Sequence, residues 1–289
     1  MTRTLFCFGY GYTAQALSRR LLPQGWQVFG TTRRPEKLDQ LGATGATALL
    51  WPSGDITTAL HTASHLLISA SPDAQGDPVL QVLGDEITQI APNLTWAGYL
   101  STTGVYGDTG GDWVSEDTPI NPSTQRGQRR KAAEQAWRAI PNLPLHIFRL
   151  AGIYGPGRGP FAKLRAGTAR RIIKPGQMFS RIHVDDIAQV LAASMDRPNP
   201  AAIYNVCDDM PAPPQDVISY AASLLGMPPP PEVPFEQAEM SPMARSFYAE
   251  SKRIRNDRIK SELGVELLYK DYKSVLTAML ESERADRTD

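Results

Sequence analysis

The sequence predicts an α/β fold: a doubly wound parallel sheet followed by a smaller C-terminal lobe. Three observations predict it. Short apolar runs of strand length alternate with stretches of helical periodicity from residue 4 to about residue 207, the pattern of a parallel sheet covered on both faces. The first strand and helix are joined by a glycine turn, Gly9-Tyr10-Gly11-Tyr12-Thr13-Ala14. After Asp208 the alternation gives way to prolines, at 211, 213 and 214, then Pro228 to Pro231 and Pro234, which argue for a second, looser unit.

Leu5-Phe6-Cys7-Phe8 reads as a buried strand, Ala14 to Leu22 as a helix and Trp26 to Arg34 as a second strand. The turn between the first two has the spacing G-x-G-x-x-G/A. Gly9 suits the tight turn, Gly11 admits a pyrophosphate to the backbone, and Ala14 allows close helix–strand packing. Tyr10, Tyr12 and Thr13 complete a loop that aims a helix N-terminus at an anion. A dinucleotide site of the Rossmann type is expected. The second strand ends in Thr31-Thr32-Arg33-Arg34, with no acid before Glu36. A carboxylate there would hold a ribose 2′-OH, whereas arginine accommodates a 2′-phosphate. NADP(H) is therefore favoured over NAD, with Arg33 as the main phosphate ligand and Arg34 as helper. The alternative is a pair of solvated arginines before Pro35.

Ala46 to Leu50 and His65 to Ser69 are the next strands, and Ser69-Ala70 is expected beneath the cofactor. Val79, Leu80, Leu83, Ile87 and Ile90 recur at helical spacing. Trp96 to Leu100 is a fifth strand, followed by a long helix opened near Ser123 and including Lys131 to Ile140. Leu145 to Leu150 is a sixth strand, Asp185 to Met195 a helix, and Ile203 to Cys207 the closing strand. A short helix, Asp216 to Leu225, lies in the proline-rich part. The expected domains are 1–207 for the dinucleotide, with 157–182 reaching into the cleft, and 208–289 for the substrate.

Composition narrows the class. With 30 Lys plus Arg against 30 Asp plus Glu, no net field points to nucleic acid or an acidic membrane. The two cysteines, Cys7 and Cys207, sit in apolar runs and read as reduced core residues, and no metal-ligand spacing is present. No leader pattern or membrane-length apolar stretch is seen, so a cytoplasmic protein is expected.

Four landmarks together carry a family resemblance: the glycine loop, Leu100-Ser-Thr-Thr-Gly-Val-Tyr-Gly107, Phe148-Arg-Leu-Ala-Gly-Ile-Tyr-Gly-Pro-Gly157 and Arg181-Ile-His-Val-Asp-Asp-Ile-Ala188. In this order they resemble the extended short-chain dehydrogenase/reductases, the NAD-dependent epimerase/dehydratase family. The resemblance runs from Leu5 to about Cys207. It implies a Rossmann domain, a small substrate lobe with a cleft between them, and a homodimer formed through the helices around Val79–Ile90 and Ser123–Ile140.

The family's chemistry uses a Ser or Thr after the fifth strand and a Tyr-x-x-x-Lys on the next helix. Thr102 takes the first role. The helix departs: Pro122-Ser-Thr-Gln-Arg126-Gly127-Gln-Arg-Arg130-Lys131 fits the family frame without a gap, placing Arg126 at the tyrosine and Arg130 at the lysine. Arginine holds its proton far more tightly than tyrosine, a gap of roughly 3–5 kcal/mol as a proton donor. Arg126 therefore suits anion binding, and Arg130 keeps only the lysine's task of holding the nicotinamide ribose. The family's dehydratase acids are replaced by Thr103 and Gly104.

From Gln135 to Val184 there is no acid, while Arg149, Arg158, Lys163, Arg165, Arg170, Arg171, Lys174 and Arg181 accumulate. An anionic substrate gripped by Thr103, Arg126, Arg181 and, from a loop at 240–256, Lys252 or Arg253 is one reading. A basic surface balancing acids elsewhere is the other. His183 reads as architectural, Tyr106 and Tyr154 as packed phenols, and Trp51 as a core residue more than a stacking platform. Two functions remain: an atypical NADP(H)-dependent oxidoreductase acting on a small anionic ligand, or a non-catalytic NADP(H)-binding sensor.

Overall fold

The computed structural model describes residues 3–285, so the outermost residues of both expected domains, 1–2 and 286–289, lie outside the described residues. The expected sheet is present. Its strands are β1 (Thr4–Phe8), β2 (Gln27–Thr32), β3 (Thr47–Leu50), β4 (His65–Ile68), β5 (Trp96–Thr102), β6 (Leu145–Leu150) and β7 (Ile203–Val206). They lie in the order β7-β6-β5-β4-β1-β2-β3, and every neighbouring pair is parallel. The chain winds outward from β1 to β3 and then outward the other way from β4. The crevice at the carboxyl ends of β1 and β4 is thus the topological switch point, where such sheets bind ligands.

Alternation along β1 divides the core. Leu5 and Cys7 face α1 (Tyr12–Leu21) and the later helix Val184–Asp196, packing with Leu17, Ile187 and Leu191. Phe6 and Phe8 face the opposite layer, α2 (Pro78–Ile90) and α3 (Gln125–Arg138), packing with Ile87, Ile90 and Trp137. All five residues of β1 and all six of β6 are buried, as expected of strands covered on both faces.

Element ends depart from the sequence reading by local chemistry. The first helix starts at Tyr12, not Ala14, because Gly11 is its N-cap. The second strand stops at Thr32, leaving Arg33 and Arg34 beyond it. Pro35 then opens a 3-10 turn, Pro35–Lys37, and Arg34 before it is extended. The short helix begins at Pro214, where a ring-fixed φ suits a first helical position.

The apolar core of the later chain draws in residues from before the expected boundary at 207. It joins Tyr154, Phe161, Leu164 and Ala169 to Ala221, Val275 and Leu276, so 154–169 belongs with later chain. Ile254, Ile259, Leu263, Val265 and Leu267 instead return to the α1 side of the sheet. Three short parallel pairs stitch these excursions: Gly152–Tyr154 with Arg181–His183, Arg171–Ile173 with Glu232–Pro234, and Trp113–Val114 with Arg253–Ile254. Among the described residues no helix is long and apolar enough to cross a membrane.

A buried polar cluster ties α3 to the sheet. Arg149 on β6 donates from Nη2 to Glu134 Oε2 at 2.9 Å and from Nε to Oε1 at 3.2 Å, and Ser101 Oγ donates to Oε1 at 2.5 Å. Arg149 Nη1 also donates to the Tyr106 hydroxyl at 3.0 Å, which in turn donates to Asn205 Oδ1 at 2.7 Å. Removing one member of such a pair strands the other charge away from water. Arg149→Met is expected to lower stability by about 3–5 kcal/mol, read by urea denaturation.

Candidate functional site

The glycine loop is held by two strands. Gly9 lies at φ 82°, the left-handed region, and a Cβ there would come 3.1 Å from Ala70 N and 3.2 Å from the Ser69 carbonyl carbon. Gly9 N donates to Thr31 Oγ1 at 2.9 Å, and Tyr10 N to Thr31 O at 2.8 Å. The Tyr10 ring does not face a ligand: it is buried beneath Gly30 and its hydroxyl meets Thr44 Oγ1 at 3.0 Å. Tyr10 therefore offers backbone only. Gly11 opens α1 with no side-chain cap and no acid in the first turn. A Cβ on Gly11 would meet nothing nearer than Gly9 O at 4.0 Å, so the loop's outer side is clear. Ala14 is fully buried. This cradle fits a dinucleotide pyrophosphate in shape and polarity. Arg33 and Arg34 are exposed, and neither guanidinium makes a hydrogen bond or ion pair among the described residues.

Beside the loop lies a cavity of about 590 Å³, reached by Tyr12, Thr13, Ser69, Thr102 and Thr103. Helix α3 sends two arginines into it. Arg130 donates from Nη1 to Leu100 O at 2.7 Å and to the Tyr99 hydroxyl at 3.3 Å, and from Nη2 to Ser71 Oγ at 3.3 Å. Its Nε is buried with no partner. One turn earlier, Arg126 lies 4.3 Å from the centre of the Phe247 ring. Burial pulls its pKa below the usual arginine range, opposed by the Glu250 carboxylate. Thr102 Oγ1 accepts from Gly104 N at 3.2 Å, capping the turn Thr103–Tyr106.

Two groups stand out that sequence reasoning did not bring together. Glu250 lines the cavity, accepting from Ser123 Oγ at 2.8 Å through Oε1 and from Lys252 Nζ at 2.6 Å through Oε2. Both side chains of the pair are 10% exposed. Nothing in the sequence marked Glu250, because its partner Ser123 is 127 residues away.

Several expected site residues lie elsewhere. Arg181 is partly buried, donating to Phe179 O at 3.1 Å and Ala212 O at 3.0 Å, and does not line the cavity. Arg253 pairs in the Trp113–Val114 ladder and gives its guanidinium to Gly111 O, so its neighbour Lys252 faces the cavity instead. The basic run disperses as well. Arg149 meets Glu134, Arg165 meets Glu283, Arg171 meets Glu232, and Lys174 bonds the Tyr248 carbonyl. Of that run only Arg158 lines the cavity, 4.3 Å from the Tyr12 ring.

The phenols and His183 are occupied in packing. The Tyr106 hydroxyl lies in the Arg149 cluster, and Tyr154 donates to Asp208 Oδ2 at 2.6 Å. His183 caps the helix Val184–Asp196 through Nδ1 at 3.2 Å and packs 4.2 Å from the Tyr269 ring. Trp51 sits edge-on to Phe8. Among the described residues no group of three or more His, Cys, Asp or Glu is placed to hold a metal.

No protein-family model matches the chain. It is 30% identical over 276 residues to the Escherichia coli K12 protein YeeZ, covering 91% of this chain and 95% of that protein. A functionally unknown conserved protein from Silicibacter pomeroyi DSS superposes with a TM-score of 0.94 at 61% identity, covering 97% of this chain and 99% of that one. The human epimerase family protein SDR39U1 (isoform 2), solved with NADPH, superposes at 0.75 with 16% identity over 96% and 99% of the two chains. At that identity the likeness is one of fold.

The Tyr154–Asp208 pair gives a pH signature. Burial pushes the Asp208 carboxyl up to about 7, so the folded protein keeps a proton that the unfolded chain releases near its ordinary value of 3.8. Stability from this group is full below that value and is lost as pH rises toward 7. Asp208→Asn, neutral throughout, is expected to exceed the wild type at alkaline pH by about 1–3 kcal/mol and to flatten that slope, measured by urea denaturation across the range.

Proposed function

We propose a function on one premise: this chain belongs to the family of the Escherichia coli protein YeeZ. It binds NADP(H) across the carboxyl edge of its sheet and acts as an atypical epimerase/dehydratase-type oxidoreductase on a small anionic substrate, without a catalytic tyrosine. The glycine loop is the observation that carries this reading: Gly9 pressed against Ser69–Ala70 just past β4, and open space over Gly11 where α1 begins uncapped. Arg33 and Arg34 stand free just past β2, where a 2′-phosphate is read in such folds.

Each side chain has a task in this reading. The dinucleotide supplies or takes up the hydride. Arg130 holds it, since its buried Nε lacks an acceptor while both Nη atoms are anchored. Arg126 binds a carboxylate or phosphate of the substrate, with its stem and plane steadied by Phe247. Thr102 and Thr103 orient the reacting oxygen at the end of β5. Charge supports the anionic class: Arg126, Arg130, Arg158 and Lys252 line the cavity against one carboxylate, Glu250. Two copies pair through α2 and α3 in the same reading.

A second reading, a non-catalytic NADP(H) sensor, draws on α3, which carries no phenol. Fluorescence titration with NADPH and NADH tests the shared claim, and failure of both to bind removes both readings. Arg33→Ala with Arg34→Ala is expected to weaken NADPH at least about tenfold, the loss of a charge-assisted contact, and to leave NADH unchanged. Oxidation of NADPH by any of a panel of phosphorylated and carboxylated carbonyl compounds selects the enzyme; binding without oxidation selects the sensor.

A further inference from the structure

The pair Glu250–Lys252 contributes to the charge of the cavity but has no part so far in the chemistry, and it lines the same cavity as Thr102 and Arg126. Its place is definite. A Cβ built on Gly104 would lie 3.9 Å from Glu250 Oε2, and Gly104 N is the donor to Thr102 Oγ1. The ammonium of Lys252, bonded to that same carboxylate oxygen, therefore sits over the turn that ends β5.

The segment holding the pair is fixed on both sides. Glu250 O accepts from Gln177 Nε2 at 2.7 Å. Ser251 N donates to Asp108 Oδ1 at 2.8 Å, Ser251 Oγ donates to Gly176 O at 2.9 Å, and Met178 N donates back to Ser251 Oγ at 3.0 Å. Such anchoring suits a reacting group more than a swinging surface cation. Of three N–H bonds on Lys252, one is given to Glu250, and no other acceptor among the described residues takes the rest.

Competing donors are worse placed. Arg126, Arg130 and Arg158 are guanidiniums, which hold protons at least about two pKa units more tightly than an ammonium. The Tyr12 phenol already donates to Pro156 O at 3.0 Å, and burial pushes its pKa up. Tyr106 and Tyr154 are in the core. Lys252 is the one lysine among the described cavity-lining residues.

We propose that Lys252 is the acid–base residue of this site and that Glu250 is its positioning residue; the assignment rests on the oxidoreductase reading. In the reducing direction a Lys252 N–H bond breaks and its proton forms the new O–H bond on the substrate oxygen, while the carbonyl carbon receives the hydride of the reduced nicotinamide. The N–H electron pair stays on Nζ, and solvent returns the proton. Oxidation runs the same transfers backwards.

The test compares wild type with Lys252→Arg, which keeps the cation and its bond to Glu250 but gives up a proton poorly. Three readouts are taken: NADPH affinity by fluorescence, the thermal midpoint, and kcat and KM on a carbonyl compound from the panel that the wild type reduces. Expected are a kcat at least about 100-fold lower, the range of general acid–base contributions, with KM, NADPH affinity and midpoint nearly unchanged. A small primary amine is expected to restore turnover to Lys252→Ala in proportion to its concentration. Lys252→Arg with kcat within about threefold of wild type overturns the assignment alone and leaves the oxidoreductase reading standing. A wild type that binds NADPH but reduces none of the panel removes the oxidoreductase reading, and the assignment falls with it.

Discussion

The ion pair of Glu134 and Arg149 is the contact on which the site depends. Both side chains are almost wholly buried, so the pair is stable only because hydrogen bonds from Ser101 and to Tyr106 complete it. Its role is orientation. Arg126, Arg130 and Glu134 follow at four-residue intervals along α3 and so share one face. With Glu134 locked to β6 at the inner end of that stripe, Arg130 reaches the ends of β4 and β5 and Arg126 reaches the cavity. A rotation of α3 that freed Glu134 would carry both arginines away from the ligand edge.

The fold was legible because its signals are local. Alternation along Leu5 to Phe8 names two faces before any partner is known, and the glycine loop announces a turn that only a small backbone can take. Thr102, Arg126 and Arg130 were singled out by the motif frame of the family resemblance, and all three line the cavity. What sequence hid was parity and distance. Lys252 and Arg253 are adjacent, and in an extended segment one faces the cavity while the other faces the Trp113 ladder. Only the pairing decides which. The direction of Arg181 is set in the same way: it lies in a three-residue strand whose partner, Gly152–Tyr154, turns it toward Ala212.

The basic stretch from Gln135 to Val184 teaches a related lesson. A run of like charges in sequence becomes a field only if the chain keeps those charges together, and here acids outside the run claim three of them while carbonyls take others. Glu134, Glu232 and Glu283 each take an arginine from the run. The positive character of the cavity comes from a different set, assembled from α3, the Tyr154–Arg158 turn and the segment after Tyr248, with Arg158 the only member in common.

The stitching of residues 250–253 onto Asp108–Asp112 and Gly176–Met178 also sets an order of assembly. The glycine loop and the strands that clamp it, β1, β2 and β4, lie within the first quarter of the chain. The wall that carries Glu250 and Lys252 emerges from the ribosome only when most of the polypeptide has been made. A nascent chain thus completes the glycine loop and its clamping strands long before the cavity beside them has its far wall. Truncation anywhere ahead of Lys252 would leave the glycine loop without that wall.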